Sequence, residues 1–158
     1  MRGLLREMKP PKPYNNHTWT AAKFRQFIIN QMRRASMRWQ PKRDAIKAAF
    51  VERGPNPDTG RMCKLHRCPL CGELFPQNKM HADHIDPVID PAAGFTTWDE
   101  YVKRMFVEVE GYQAICTGCH KEKIGEERAV RTEANRERKA QVNTAVRKRT
   151  RRTPTTRG

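Results

Sequence analysis

Aromatic residues make up only 8% of this 158-residue sequence, and apolar residues 37% against 31% charged. Globular chains usually carry about 45–50% apolar residues, so part of the chain is expected to be solvated or disordered. No uncharged apolar run approaches the roughly 20 residues that cross a bilayer; the longest are Phe27-Ile28-Ile29 and Ala48 to Val51. A membrane-spanning role is therefore excluded. The first residues, Met1 to Pro13, lack the apolar core and small-residue cleavage site of a secretory signal, so a cytoplasmic protein is expected. Acidic residues are also scarce, 17 against 32 Lys plus Arg, leaving a net charge of +15 that points to a polyanionic partner. The length suits one domain with extensions or two very small units, and rules out a large multidomain enzyme.

Cysteine is sparse and odd in number: five in all. Four fall into two Cys-x-x-Cys pairs, Cys68/Cys71 and Cys116/Cys119. That pattern suits metal better than disulfides and implies a reducing compartment. Four thiolates around one ion make the closed tetrahedral site of structural Zn2+. Reduced thiols in a core, or Cys63 or His66 replacing one ligand, are the alternatives. The 44 residues between the pairs exceed the loop of a simple zinc ribbon, so structure of its own is expected there.

Along the chain, Pro10, Pro11, Pro13 and Asn15-Asn16 give residues 1–16 the composition of a flexible basic arm. Residues 17–60 read as a helical segment. Phe24, Phe27, Ile28, Met32 and Ala35 recur every three or four positions, with Arg33, Arg34 and Arg38 off that face. A second short helix is expected from Asp44 to Arg53, stopped by Gly54-Pro55. The turn formers Asn56 to Gly60 then lead into a core over 61–127. In that core a strand is expected from Lys79 to His84. Thr97 and Glu100 have capping-box spacing for a helix from Trp98 to about Glu108, whose Trp98, Tyr101 and Phe106 are expected to pack in the core. A helix is also expected from His120 onward. Residues 128–158 hold eleven Lys or Arg and two Glu, a basic tail that is either helical or disordered.

The loop between the cysteine pairs contains His81-Ala-Asp83-His84-Ile-Asp-Pro87, and the second pair runs into His120-Lys-Glu-Lys123. A zinc ion would draw these segments together. A carboxylate and an imidazole can hold a divalent ion while a second, neutral imidazole activates water, which is what phosphodiester hydrolysis requires. By itself Asp-His is a weak dipeptide, with a turn histidine as the simpler reading. His81 is read as an exposed strand histidine, or as an accessory to phosphate or metal. His17 and His66, without organised company, are read as surface residues.

The ordered set Cys68-x-x-Cys71, Ala82-Asp83-His84-Ile85-Asp86-Pro87, Tyr112-Gln113-Ala114-Ile115-Cys116-x-x-Cys119-His120-x-x-Lys123 resembles the HNH endonucleases of the ββα-metal superfamily. The likeness spans roughly Cys68 to Lys123. With Asp90 to Phe95, Trp98 to Tyr101 and the Phe24 to Trp39 segment, it extends to small HNH proteins of tailed bacteriophages. The resemblance implies an α+β fold: a zinc-stabilised ββα-metal core with N-terminal helices and a basic C-terminal extension. It also implies a metal-dependent DNA endonuclease with His84 as general base, and Asp83 and His120 as ligands of a catalytic divalent ion, Mg2+ or Mn2+. The cysteines would hold a separate zinc, with Gln113 and Lys123 as possible accessories. Gly111 stands where the family has its middle asparagine, which generally braces the loop bearing the base.

DNA is the expected partner, contacted by Arg33, Arg34 and Arg38 and, in the tail, by Arg147, Lys148, Arg149, Arg151 and Arg152. If the chain is phage-encoded, its compartment is the bacterial host cytosol. Two rivals stand beside the nuclease: a noncatalytic zinc-containing nucleic-acid-binding protein, and an assembly or packaging factor with a degenerate HNH site, acting through a phage terminase or another viral protein.

Overall fold

The computed structural model describes residues 10–151, and of residues 146–151 the backbone only. The arm expected over 1–16 is thus described from residue 10. Arg152 and the side chains of Arg147, Lys148, Arg149 and Arg151 lie outside the described residues. Among the described residues four α-helices and two small sheets make an α+β protein, divided into two units, Met1–Trp39 and Gln40–Gly158. None of the described helices is long and apolar enough to cross a membrane.

In the first unit a turn at Asn15, Asn16 and His17, all with positive φ, closes a bridge between Tyr14 and Trp19. The turn delivers Thr20 as the N-cap of α1 (Ala21–Ser36), its hydroxyl accepting from the Lys23 amide at 3.2 Å. Tyr14 stacks on Phe24 with centroids 4.3 Å apart, and Trp19 packs on Phe27 with Lys23 over its indole ring. Ile29 and Ser36 are the buried residues of α1; Phe27 and Ala35, expected on its inner face, are exposed.

The second unit begins with α2 (Gln40–Ala48), where Pro41 sits in the first turn, so its missing N–H leaves no helical bond unmade. The helix expected to reach Arg53 ends instead at Ala48, and residues from Phe50 form a strand. Strand β1 (Phe50–Pro55) pairs antiparallel with β2 (Met62–Arg67), and β3 (Leu74–Pro76) adds on the other side of β2. Close packing explains the switch: a Cβ at Gly54 would lie 2.7 Å from the Leu65 side chain, so this glycine lets Leu65 cover the strand. The Asn56–Gly60 turn formers close the β1–β2 hairpin, with Gly60 N–H donating to the Asn56 carbonyl at 2.8 Å.

The first Cys-x-x-Cys pair forms the turn from β2 to β3, held by Gly72 N–H to the Cys68 carbonyl at 2.8 Å. Strand β4 (Met80–His84) pairs antiparallel with β5 (Tyr112–Cys116), and β5 runs directly into α4 (Thr117–Arg151). Between β4 and β5 lies α3 (Trp98–Met105), capped by the Thr97 hydroxyl, which accepts from Glu100 N–H at 3.2 Å. Of its aromatics Tyr101 is buried, while Trp98 and Phe106 are half-buried. The core gathers Cys68, Met80, Ala114, Ile115 and Cys116, with Ile46, Ala49, Phe75 and Cys119 packed against them. Ile115 is completely buried, a burial that contributes about 1.5–3 kcal/mol. Helix α2 packs on both β4 and β5. Helix α4 continues as one helix through the described part of the basic segment, to Arg151, with no proline in that stretch.

Candidate functional site

The four cysteines of the two pairs meet at one point. Their Sγ atoms all lie within 4.8 Å of one another, and Cys71 and Cys116 are 4.0 Å apart. A zinc tetrahedron with Zn–S near 2.3 Å has edges of about 3.8 Å, so this cluster is sized for zinc. The amides of Cys116 and Cys119 point at the sulfurs of Cys68 and Cys116, each at 3.4 Å, as they do toward metal thiolates. Burial alone would raise the Cys68 thiol; hydrogen bonds from the backbone of Cys116, Cys71 and Leu70 outweigh it and bring Cys68 down to about 6. Cys119 is pushed up to about 12, first by its contact with the Cys116 sulfur and then by burial. Cys63 lies on β2 outside the cluster. His66 is outside it too and is buried, not on the surface as expected: β2 is the central strand of its sheet, and the ring packs edge-on against Phe50. His17 is exposed.

The cluster joins the start of α4 to the end of β5, and register does the rest. The β4–β5 pairing sets Asp83 opposite Gln113 and His84 opposite Tyr112. One turn into α4, His120 brings Nε2 to 3.7 Å from Asp83 Oδ1. That lies within the roughly 4.2 Å that two ligands at about 2.1 Å from one ion can span. Asp83 also accepts from Gln113 Nε2 at 3.3 Å and from Lys123 Nζ at 2.5 Å. His81 stacks on His120, centroids 4.7 Å apart, and its Nε2 lies 3.1 Å from the Thr117 hydroxyl. The hydroxyl in turn donates to the Lys79 carbonyl, so it accepts from His81, which is a half-buried, packed residue instead of an exposed one.

His84 sits beside this group, its Nε2 3.1 Å from the Met105 carbonyl and its ring 4.6 Å from that of Tyr112. A carbonyl only accepts, so Nε2 carries the proton and Nδ1 of the neutral ring is left with its lone pair. Burial holds His84 below the ordinary histidine range, aided by the positive charges of Lys42 and Lys123 and opposed by the Met105 bond and Asp83. The ring is therefore neutral at pH 7 and able to accept a proton.

The loop that follows His84 is braced from two sides. Lys123 Nζ donates to the His84 carbonyl at 2.5 Å and reaches that of Ile85, while Ile85 N–H donates to the Gly111 carbonyl at 3.0 Å. Gly111 thus contributes backbone to the brace, and its side is closed: a Cβ there would fall 2.6 Å from Val107 Cγ2. The Met105 carbonyl and Lys42 went unnoticed in the sequence. A backbone acceptor leaves no mark in sequence, and Lys42 is 41 positions from Asp83. Arg33, Arg34 and Arg38 are exposed on and just beyond α1.

A small α+β chain with a four-cysteine cluster fit for zinc is compatible with a zinc-containing nucleic-acid-binding role. Comparison with protein-family models, with curated proteins and with solved structures finds no match.

Proposed function

We propose that this chain is a metal-dependent DNA endonuclease of the HNH, ββα-metal type, hydrolysing phosphodiester bonds with one divalent ion and a histidine base. The observation that carries the reading is the approach of Asp83 and His120 to 3.7 Å across the β4–β5 pair and the helix that follows it, with a neutral His84 alongside. Mg2+ or Mn2+ held by Asp83 and His120 would stabilise charge on a nonbridging phosphate oxygen and on the departing 3′-oxygen. His84 takes the proton of the attacking water at Nδ1, since Nε2 is committed to Met105. Gln113 and Lys123 fix the Asp83 carboxylate, and the zinc-bound cysteines fix the junction of β5 and α4 from which His120 projects. The net charge of +15, with Arg33, Arg34 and Arg38 exposed, supplies sequence-independent affinity for the DNA backbone.

Supercoiled plasmid, incubated with the native chain and with His84→Ala in Mg2+ or Mn2+, tests the proposal. Both proteins should retain zinc and bind DNA, and nicking should fall by about 10²–10⁴ in the variant. A native chain that binds the plasmid yet cuts it under neither ion would sink the nuclease reading.

One observation favours the noncatalytic zinc-containing nucleic-acid-binding alternative. Lys123 already supplies Asp83 with a cation at 2.5 Å, the charge that a metal would otherwise bring. Titrating Mn2+ into the zinc-loaded protein separates the two. Binding lost in Asp83→Asn and His120→Ala belongs to the nuclease, and no binding in the native chain belongs to the alternative.

A further inference from the structure

Two lysines face the Asp83–His84 pair, and they are used differently. Lys123 is satisfied within the protein: its ammonium donates to Asp83 and to the carbonyls of His84 and Ile85. Lys42 is on α2, which packs on both β4 and β5. It is half-buried and lies within electrostatic reach of both Asp83 and His84. Yet among the described residues no carboxylate or carbonyl accepts a hydrogen bond from its Nζ. Its neighbours on α2 are paired, Lys47 with Asp44 at 2.8 Å and Arg43 with Gln40 at 2.8 Å.

A half-buried ammonium with no hydrogen-bond acceptor among the described residues is a cost to folding. Burial pushes it below the ordinary lysine range, and only the Asp83 charge opposes that. An exposed lysine would serve general attraction to DNA without this penalty. A partly buried cation within electrostatic reach of the candidate base and metal ligand, with no hydrogen-bond acceptor among the described residues, suits an anion of several oxygens. Arginine and lysine side chains of this kind recognise phosphate as point charges or forks, and a strand of DNA presents one phosphate per nucleotide.

We infer that Lys42 is a phosphate-binding residue of the candidate site, donating to an oxygen of the DNA phosphate that lies against Asp83 and His84. The inference rests on the proposed DNA-cleaving role for its place in a reaction, but the phosphate contact is measurable without cleavage. Lys42 is then the side chain that seats the phosphate, while Lys123 holds the protein groups that act on it.

The test compares the native chain, Lys42→Met, Lys42→Arg and, as a surface control on the same helix, Lys47→Met. Each is measured for binding to a short DNA duplex over a range of salt without added divalent ion, for plasmid cleavage with Mg2+, for zinc content and for denaturation midpoint. Lys42→Met should bind more weakly, with the slope of log K against log salt smaller by about 0.9, one phosphate contact. Its kcat/KM should fall on the order of tenfold or more, with Lys42→Arg in between and Lys47→Met unchanged in cleavage. The midpoint of Lys42→Met should stay level or rise, because an apolar chain of similar length replaces a desolvated charge. An unchanged salt slope in Lys42→Met, or a variant that loses stability while keeping its DNA affinity, overturns the inference and makes Lys42 structural. Should the native chain fail to cut while Lys42→Met still loses the phosphate contact, the nuclease reading fails and the phosphate site stands.

Discussion

The ammonium of Lys123 lies 2.5 Å from Oδ2 of Asp83, both side chains less than one-fifth exposed. It lies equally close to the carbonyl of His84, so one cation from α4 fixes the carboxylate and the backbone of the adjacent histidine. Replacing it with methionine leaves a mostly buried carboxylate without its charge partner. Lys123→Met is expected to lose about 2–3 kcal/mol of stability, read by urea denaturation of the zinc-loaded protein. DNA cleavage should fall with it, whereas Lys123→Arg should keep the charge and recover part of both. An unaltered midpoint in Lys123→Met would mean that the contact contributes nothing to the fold.

Gly111 invites a second test, because the resemblance puts the family's bracing asparagine at its position. Restoring that residue should harm the protein. A Cβ at Gly111 meets Val107 Cγ2 at 2.6 Å, nearer than packed atoms come, and overpacking of this kind costs about 1–3 kcal/mol. Gly111→Asn should therefore lower the melting temperature, and because the Val107 Cβ also lies 2.7 Å from that position, the double variant with Val107→Ala should recover only part of it. A Gly111→Asn protein as stable as the native chain would show that Val107 moves aside freely.

Much of the candidate site was legible because its residues are close in sequence and chemically distinctive. The cysteine spacing announced the cluster, and the Asp83-His84 and Cys119-His120 neighbours announced the groups that it brings near one another. Gln113 and Lys123, named in the sequence only as possible accessories, both donate to Asp83. What escaped was set by tertiary packing. The apolar spacing of Ile46, Ala49 and Phe50 suits a helix, but the chance to pair β1 with β2 and to seat Leu65 over Gly54 overrides local preference. His66 read as a surface residue because a histidine carries no sign of lying on a central strand. The Met105 carbonyl, which decides the tautomer of His84, has no side-chain signature at all.

Zinc loading should release protons in a number fixed by the unequal state of the four sulfurs. Without metal, Cys68 near 6 is already a thiolate at neutral pH, while Cys71 is raised and Cys119 is pushed up to about 12. A zinc ion binds thiolates, so filling the site at pH 7.5 must displace the protons of at least Cys71 and Cys119, about two or three per ion. The count is read from a weakly buffered titration with a pH indicator. One zinc per chain is expected, falling to none in Cys119→Ser at limiting metal. Release of no protons would show that the metal is not held by this cluster.

The last prediction concerns pH and follows from the burial of His84. Its pKa is displaced downward from the usual 6.5, chiefly by desolvation, so the folded state binds this proton less readily than the unfolded chain does. The linked contribution to stability is therefore present above pH 6.5 and is lost as pH falls through the folded value. The same group in its neutral form is the proposed proton acceptor. Cleavage, measured as kcat/KM, should be on its plateau at pH 7 and decline toward acid with a midpoint below 6.5. In His84→Ala that limb should vanish from the residual rate. The stability of the variant should then fall less steeply between pH 7 and pH 5 than that of the native chain, while the buried His66 and half-buried His81, also displaced downward by desolvation, keep the remaining slope. A native rate that rises toward acid would require the protonated imidazolium, and His84 would be acting as an acid in place of a base.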